Sequence, residues 1–248
     1  MKNWSTKAFY GVKSGDEFIK GIQYAVDQIF AQVGIFTGDQ LFTYNKNLSF
    51  LEDEKFMSAF TKHATTDVEK SVIWRIATVC WAANNGMRLD GDLVEIACYK
   101  GTTARVVCDY VEFEKQPNKK YFLYDLFEHD NSMPHFSMPE HSKQLYRQVQ
   151  QRFSEYSTVW ITQGKVPESL AIAAPEKIAF MHLDINSADA EIGVLEVLFD
   201  RMVPGAVLIL DDYGWAYYRD QKLAEDPWLE KRGYKVLELP TGQGMVIK

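Results

Sequence analysis

The sequence predicts an α/β fold whose central sheet is mostly parallel. From Asp92 onward, short apolar runs of strand length alternate with segments of helical periodicity. In the clearest unit, the apolar runs 178–183 and 206–210 flank a helical segment at 188–202. Parallel strands need a crossover of this kind, so the carboxyl ends of these two strands should meet at one edge of the sheet.

Acidic residues directly follow both of these strands. Asp184 follows the first, and the doublet Asp211 and Asp212 follows the second. One aspartate at a strand end is ordinary turn chemistry, but three at one edge concentrate negative charge, which is costly unless a cation neutralises it. Because carboxylate oxygens suit hard ions, we expect a site for Mg²⁺ or a substitute such as Mn²⁺ or Ca²⁺. A solvated acidic edge is the alternative.

Composition places the chain among ordinary globular proteins. Apolar residues make up 46% and charged residues 25% of the 248 residues. A formal net charge of -7 and a pI near 5.3 argue against nucleic acid or an anionic membrane as a partner. The sequence has no apolar run of about 18 residues, and its start lacks the apolar core of a signal peptide, so we expect a cytoplasmic protein.

The spacing of cysteines and histidines does not indicate a metal-binding cluster. The three cysteines lie in apolar or helical surroundings without a close CxxC pair, which favours buried free thiols. Three histidines recur six residues apart in a segment interrupted by prolines, and this spacing favours a mobile, substrate-facing loop over metal ligation. These residues are Cys80, Cys98 and Cys108, and His129, His135 and His141.

The first part of the chain, residues 1–90, should form a helical extension before a main domain at 91–248. Residues 17–30 have the apolar spacing of an amphipathic helix, and residues 53–87 that of two further helices, with N-cap chemistry at 66–69. The segment between these helices contains turn residues and should be a loop. The extension could act as a lid over the substrate or as an oligomer contact.

The first strand of the main sheet is predicted at 92–97, followed by a glycine turn at 98–103 and a helix at 104–113. A strand that enters such a turn and then a helix presents backbone N–H groups to a nucleotide-like ligand. The next strand, 121–126, carries Asp125 near its end. A carboxylate there can accept hydrogen bonds from both hydroxyls of a ribose.

The alternation of helices and strands continues after the histidine-containing segment. The patterns predict a helix at 143–153, a strand at 158–162, a helix at 219–232, and a closing antiparallel hairpin formed by 233–239 and 245–247. Pro227 should interrupt the second of these helices. No composition shift marks a linker, so the chain from Asp92 onward should be one domain.

Five motifs, in order, make the chain resemble a known family. They are 91–102 (GDLVEIACYKGT), 123–128 (LYDLFE), 164–170 (GKVPESL), 182–184 (HLD), and 204–205 (PG) leading into 210–214 (LDDYG). The chain resembles class I S-adenosylmethionine-dependent methyltransferases, and among them the macrocin O-methyltransferase family, which methylates hydroxyls of macrolide sugars and related natural products. The resemblance implies a Rossmann-like, seven-stranded sheet, mostly parallel with an antiparallel C-terminal hairpin, a small hydroxylated substrate, and S-adenosylmethionine and Mg²⁺ as cofactors.

Carried over position by position, the family pattern also implies the site residues. The cofactor would contact Glu95, Ala97, Tyr99, Lys100, Gly101, Thr102, Asp125, Gln163, Gly164 and Asp184. Mg²⁺ would bind to Asp184, Asp211 and Asp212 beside the hydroxyls of the substrate. Asp184 is the first candidate for the catalytic base and His182 the second, although for His182 a packed strand position is favoured over a catalytic role. Tyr213 and Trp215 could line the substrate or simply pack.

Three positions depart from the family pattern. Ala97 replaces a usual glycine, Asn186 stands where a second acid is usual, and His129 replaces another glycine. These departures leave two alternatives open: a methyltransferase with a catechol-like or other acceptor, and a catalytically degenerate cofactor-binding or scaffold protein. A dehydrogenase is disfavoured, because the first turn has one glycine where the dinucleotide fingerprint has three.

Overall fold

The computed structural model describes residues 2–129, 133 and 137–248. His135 lies outside these residues, so the loop prediction for it is not addressed. The contacts divide the chain into two compact units, Met1–Thr78 and Val79–Lys248. The domain boundary expected near residue 90 stays a prediction. Among the described residues, no helix has both the length and the apolar character that crossing a bilayer requires.

The first unit contains a small sheet that the sequence did not predict. Its elements, with a helix shared with the second unit, are β1 (Trp4–Ser5), α1 (Gly15–Asp27), β2 (Phe36–Gly38), β3 (Leu41–Thr43), α2 (Glu54–His63), α3 (Asp67–Ser71) and α4 (Ile73–Gly86). The central strand β2 pairs parallel with β1 and antiparallel with β3. The expectation of a loop after the first helix was therefore wrong, because strands of two or three residues are too short to show alternation.

Helices α2 to α4 replace the two helices expected in this region. The predicted N-cap is confirmed, since Thr66 and Glu69 form a reciprocal capping box at the start of α3. The break between α3 and α4 has a distant cause. The buried Asp39 carboxylate accepts hydrogen bonds from the backbone N–H groups of Trp74 at 2.9 Å and Arg75 at 3.4 Å, which caps the start of α4.

The second unit has the predicted architecture, except that its helix at 219–230 continues through Pro227, which was expected to interrupt it. Its further elements are β4 (Asp92–Ile96), α5 (Thr102–Tyr110), β5 (Tyr121–Asp125), α6 (Leu145–Arg152), β6 (Val159–Gln163), β7 (Ile178–Leu183), α7 (Ala188–Leu198), β8 (Met202–Leu210), α8 (Arg219–Glu230), β9 (Leu237–Glu238) and β10 (Gly244–Ile247). The seven-stranded sheet has the order β6-β5-β4-β7-β8-β10-β9. Its first five strands are parallel, and β10 pairs antiparallel with both β8 and β9.

The core of this unit is formed by the central strands and the helices that cover them. All six residues of β7 are buried, as expected for a strand covered on both faces. Strand β8 begins at Met202 rather than at the predicted Ala206. Its first half contains the exposed Pro204 and Gly205, which are not typical of a strand, and the register against β7 shifts there. Cys80, Cys98 and Cys108 are buried and form no disulfide bond, as predicted.

Candidate active site

The carboxyl ends of β4, β7 and β8 are joined by backbone hydrogen bonds. The N–H of Asp184 donates to the carbonyl of Ile96 at 3.2 Å, and the N–H of Asp211 donates to the carbonyl of Leu183 at 2.8 Å. The first residues after these strands therefore lie at one edge of the sheet, which is where α/β proteins bind their ligands. Asp184 and Asp211 meet there, as the sequence predicted.

The turn after β4 has a backbone that bends sharply before α5. Ala97, Tyr99 and Gly101 all have positive φ, at 64°, 49° and 72°. A side chain at Gly101 would also place a Cβ only 2.7 Å from the ring of Phe153. Glycine is required at this position for both reasons, and the helix begins at the next residue, Thr102.

Asp125, at the end of β5, is fixed in orientation by this turn and by its own loop. Its carboxylate accepts hydrogen bonds from the N–H of Tyr99 at 2.7 Å and the N–H of Phe127 at 2.5 Å. The turn after β4 and the carboxylate after β5 are thus directly connected. A strand-end carboxylate held in this way suits the ribose hydroxyls of a nucleoside, so these residues fit the implied cofactor.

The end of β6 lies next to the end of β5. The N–H of Gly164 donates to the carbonyl of Asp125 at 3.0 Å, and the Gln163 amide donates to the carbonyl of Leu126 at 3.3 Å. Gly164 has a φ of 151°, and a Cβ there would lie 2.9 Å from Cβ of Ser169. The structure therefore brings Gln163 and Gly164 beside Asp125, as expected for residues that border an adenine.

The loop around residue 140 contacts the turn after β4. Glu140 accepts a hydrogen bond from the Tyr99 hydroxyl and forms an ion pair with Lys100 at 2.9 Å. The ring of His141 packs edge-on against Tyr99, with the centroids 5.2 Å apart, and stacks with His129 at 6.0 Å. Two of the three predicted loop histidines therefore lie near the predicted cofactor turn. Their contact with substrate stays a prediction.

The acidic edge holds a group of side chains with the spacing of metal ligands. One ligand atom each from His182, Asp184 and Asp211 lies within 4.8 Å of the other two. Asp212 is buried and adjoins Asp211 in the chain, but it is not one of the three residues of this group. The oxygen-rich edge fits a hard cation, which the carboxylates of Asp184 and Asp211 would bind. The metal roles of all three aspartates stay predictions.

His182 lies buried between two carboxylates. Its Nε2 is 3.3 Å from Oδ1 of Asp211, and its Nδ1 is 3.7 Å from Oε2 of Glu95. Burial alone would lower the pKa of His182, but the hydrogen bond with Asp211 and the nearby carboxylates of Glu95 and Asp211 outweigh burial and raise this pKa to about 10. A protonated imidazole cannot accept a proton, which favours Asp184 over His182 as the base.

Glu95 is occupied by contacts within the sheet. Its carboxylate accepts a hydrogen bond from the Tyr121 hydroxyl at 2.8 Å and faces His182, and the side chain is buried. Glu95 thus lies beside His182, the histidine of the acidic edge. Its contact with the methionine part of the cofactor stays a prediction.

Two buried glutamines near the acidic edge were missed by the sequence analysis. Gln243 donates to Oδ1 of Asp211 at 2.7 Å, and Gln221 donates to the carbonyl of Ile185 at 2.5 Å. Gln243 lies 32 residues from Asp211 and Gln221 lies 36 residues from Ile185, so no local motif could reveal these contacts. The only local signal is that Gln243 stands between two glycines in the final turn.

The aromatic residues after β8 have packing roles. Tyr213 is buried in the core, and its hydroxyl donates to Asp226 of α8 at 2.6 Å. Trp215 packs on the final turn, since a Cβ at Gly242 would lie 2.4 Å from the indole nitrogen. These contacts support packing over a substrate-lining role for both residues.

Comparison with known proteins identifies the family. The family model for macrocin-O-methyltransferase (TylF) matches residues 74–226. No curated protein sequence matches the chain. The O-methyltransferase NovP is a similar solved structure, with 16% identity, a TM-score of 0.61, and coverage of 72% of this chain and 81% of that chain.

Two further solved structures span most of this chain. CalS11, a TDP-rhamnose 3'-O-methyltransferase of calicheamicin biosynthesis, has 11% identity and a TM-score of 0.58, with 96% of each chain covered. TomG, an O-methyltransferase from Streptomyces achromogenes solved with S-adenosylmethionine, has 11% identity and a TM-score of 0.50, covering 92% of this chain and 96% of that chain. The family match spans more than half of the chain, and the fold agrees with it. The chain is an S-adenosylmethionine-dependent O-methyltransferase that belongs to the macrocin-O-methyltransferase (TylF) family.

Proposed function

We propose that this enzyme methylates a hydroxyl of a natural-product sugar and uses a divalent cation, Mg²⁺ or a hard substitute, at Asp184, Asp211 and Asp212. The observation that carries the proposal is the meeting of Asp184 and Asp211 at the sheet edge that also bears Asp125. CalS11, which shares the fold, is described as acting on TDP-rhamnose. A sugar with adjacent hydroxyls suits such an acidic edge, because a cation there could bind both hydroxyls.

The residues that would hold the methyl donor lie along the ends of β4, β5 and β6. Asp125 would accept hydrogen bonds from the ribose, the turn at 97–102 would contact the methionine part, and Gln163 and Gly164 would border the adenine. When bound, S-adenosylmethionine supplies an activated methyl group for in-line displacement. The task of the chain is then to hold the acceptor oxygen behind that carbon, where proximity and orientation contribute most to the rate.

Asp184 and Asp211 would also set the position of the acceptor. A divalent cation, when bound, acts as a Lewis acid and lowers the pKa of a coordinated hydroxyl. Asp211 is held by His182 and Gln243, while Asp184 is only half-buried and can reach the substrate. Asp184 would accept the proton of the attacking hydroxyl, although a carboxylate that also binds a cation is a weaker base.

The test is a methyl-transfer assay on a panel of TDP-rhamnose, other sugar derivatives and catechols, with Mg²⁺ or with a chelator. Cofactor binding is measured in parallel by calorimetric titration of S-adenosylhomocysteine. The variants are Asp184→Asn and Asp211→Asn, with the exposed Asp200→Asn as the matched control. We expect transfer to a sugar hydroxyl that the chelator and both site variants reduce by about 100-fold or more, with binding of S-adenosylhomocysteine retained in Asp211→Asn.

Three outcomes would contradict parts of this proposal. Transfer that is insensitive to the chelator would exclude the cation. Transfer to catechols alone would replace the sugar with the alternative acceptor. Binding of the cofactor without transfer to any member of the panel would contradict the proposed acceptor class.

A further inference from the structure

Gln243 lies in the final turn, directly opposite the acidic doublet. In the pairing of β10 with β8, Gly244 is the partner of Leu210, so the next positions across the ladder are Gln243 and Asp211. The Gln243 amide donates through Nε2 to Oδ1 of Asp211 at 2.7 Å, and the side chain is fully buried. The last hairpin of the sheet therefore places an amide N–H against the acidic edge.

The orientation of this amide is fixed by a second hydrogen bond. The buried Thr241 hydroxyl donates to Oε1 of Gln243 at 3.1 Å. An ionised carboxylate can only accept a hydrogen bond, so the NH₂ group of the amide must face Asp211. Reversing the amide would put Oε1 against the carboxylate, and Thr241 would lose its acceptor.

The turn that carries Gln243 is itself firmly held. The N–H of Gly214 donates to the carbonyl of Gly242 at 2.7 Å, and the N–H of Leu239 donates to the carbonyl of Gln243 at 2.8 Å. Gly242 has a φ of 85° and lies against Trp215. The position of the Gln243 side chain is thus set by backbone contacts on both sides of the turn.

Two side-chain nitrogens contact the same carboxylate oxygen of Asp211. His182 approaches Oδ1 at 3.3 Å from within the sheet, and Gln243 approaches it at 2.7 Å from the turn. Rotation of the carboxylate would break both contacts. Groups that hydrogen-bond to a metal ligand in this way orient the ligand and raise metal affinity. Their loss commonly lowers metal affinity by about 10- to 100-fold.

We propose that Gln243 is a positioning residue that fixes the Asp211 carboxylate for cation binding. The inference rests on the proposed function, because it assumes that Asp211 binds the cation. Gln243 contacts neither substrate nor cofactor in this role. It acts only through Asp211, and Thr241 acts through Gln243.

The test measures Mn²⁺ affinity by calorimetry, with S-adenosylhomocysteine affinity measured separately as a check on the fold. Gln243→Met keeps the length of the side chain and removes the amide, whereas Thr241→Val leaves Gln243 in place and removes only its orienting hydroxyl. Gln150→Leu, at an exposed position of α6, is the matched control. We expect Mn²⁺ to bind Gln243→Met about 10- to 100-fold more weakly, Thr241→Val less than about 10-fold more weakly, and the control as tightly as the wild type.

The affinity for S-adenosylhomocysteine should be unchanged in every variant. If the wild type binds Mn²⁺ and Gln243→Met binds it equally well, the positioning role is overturned and the proposed function stands. If the wild type binds no Mn²⁺, both the proposed cation site and the positioning role of Gln243 are overturned. A parallel loss of both affinities in the two variants would show a general structural role and would also overturn the inference.

Discussion

Ala97 carries a side chain where the backbone favours glycine. Its φ is 64°, in the left-handed region that favours glycine. For an L-residue this conformation costs about 1–2 kcal/mol, while a glycine would lose about 0.5–1 kcal/mol more chain entropy on folding. The difference leaves a small residual strain in the turn that precedes α5.

Ala97→Gly should therefore stabilise the protein by about 0.5–1 kcal/mol, because it relieves the left-handed strain. The free energy of unfolding, measured by urea denaturation, checks this result. Ala190→Gly, within α7, is the matched control and should destabilise by about 1 kcal/mol, since glycine is unfavourable inside a helix. Loss of stability in both variants to the same extent would contradict the strain at Ala97.

At the scale of elements, α7 and α8 bring two glutamates together in the core. Glu191 of α7 and Glu225 of α8 are both buried. Burial, followed by the charge of Glu225, raises the pKa of Glu191 well above its ordinary value. Burial is also the main cause that raises the pKa of Glu225 to about 7. The hydrogen bond with Glu191 opposes this rise, Asp226 and Asp212 add to it, and Lys222 opposes it further.

The raised pKa of Glu225 predicts that the protein loses stability as the pH rises from about 4.5 to about 7. A carboxyl whose pKa is higher in the folded state binds its proton more tightly there, so deprotonation favours unfolding. Glu225→Gln mimics the protonated form and should raise the free energy of unfolding at pH 8 by an amount on the order of 1–3 kcal/mol. At pH 5 its effect should be close to zero.

The measurement is urea denaturation at pH 5 and pH 8, in the presence of a chelator so that a bound cation does not contribute. Glu230→Gln, at an exposed position of the same helix, is the control. Equal effects of Glu225→Gln at the two pH values would show that Glu225 does not titrate in this range.

For the whole molecule, the positions of the main strands along the chain could be predicted because each one is a local pattern, and their parallel direction because a crossover helix separates them. Strand β7 begins and ends where its apolar run does, and the acids after β7 and β8 meet as expected. Contacts between distant residues could not be predicted. Asp39 caps α4, and Gln243 donates to Asp211. Both contacts depend on how distant segments fold together, and no periodic pattern in the sequence indicates them. Strands β1 to β3 are too short to carry a period.

Ligand binding should stabilise the second unit, Val79–Lys248, because every predicted cofactor residue lies there. At a ligand concentration of about 100 times its Kd, S-adenosylhomocysteine should add about 2.7 kcal/mol to the free energy of unfolding. Hydrogen exchange should show the largest added protection at the turn 97–102 and at residues 163–164. Protection confined to other parts of the unit would place the cofactor elsewhere.

The hairpin that bears Gln243 also determines when the acidic edge can form during protein synthesis. Asp211 is made 32 residues before the amide that holds it. A nascent chain that has exposed both acidic strand ends still lacks β10, the partner of β8 along its far side. This hairpin must therefore emerge from the ribosome before the acidic edge reaches its final geometry, even though the carboxylates of that edge emerge earlier.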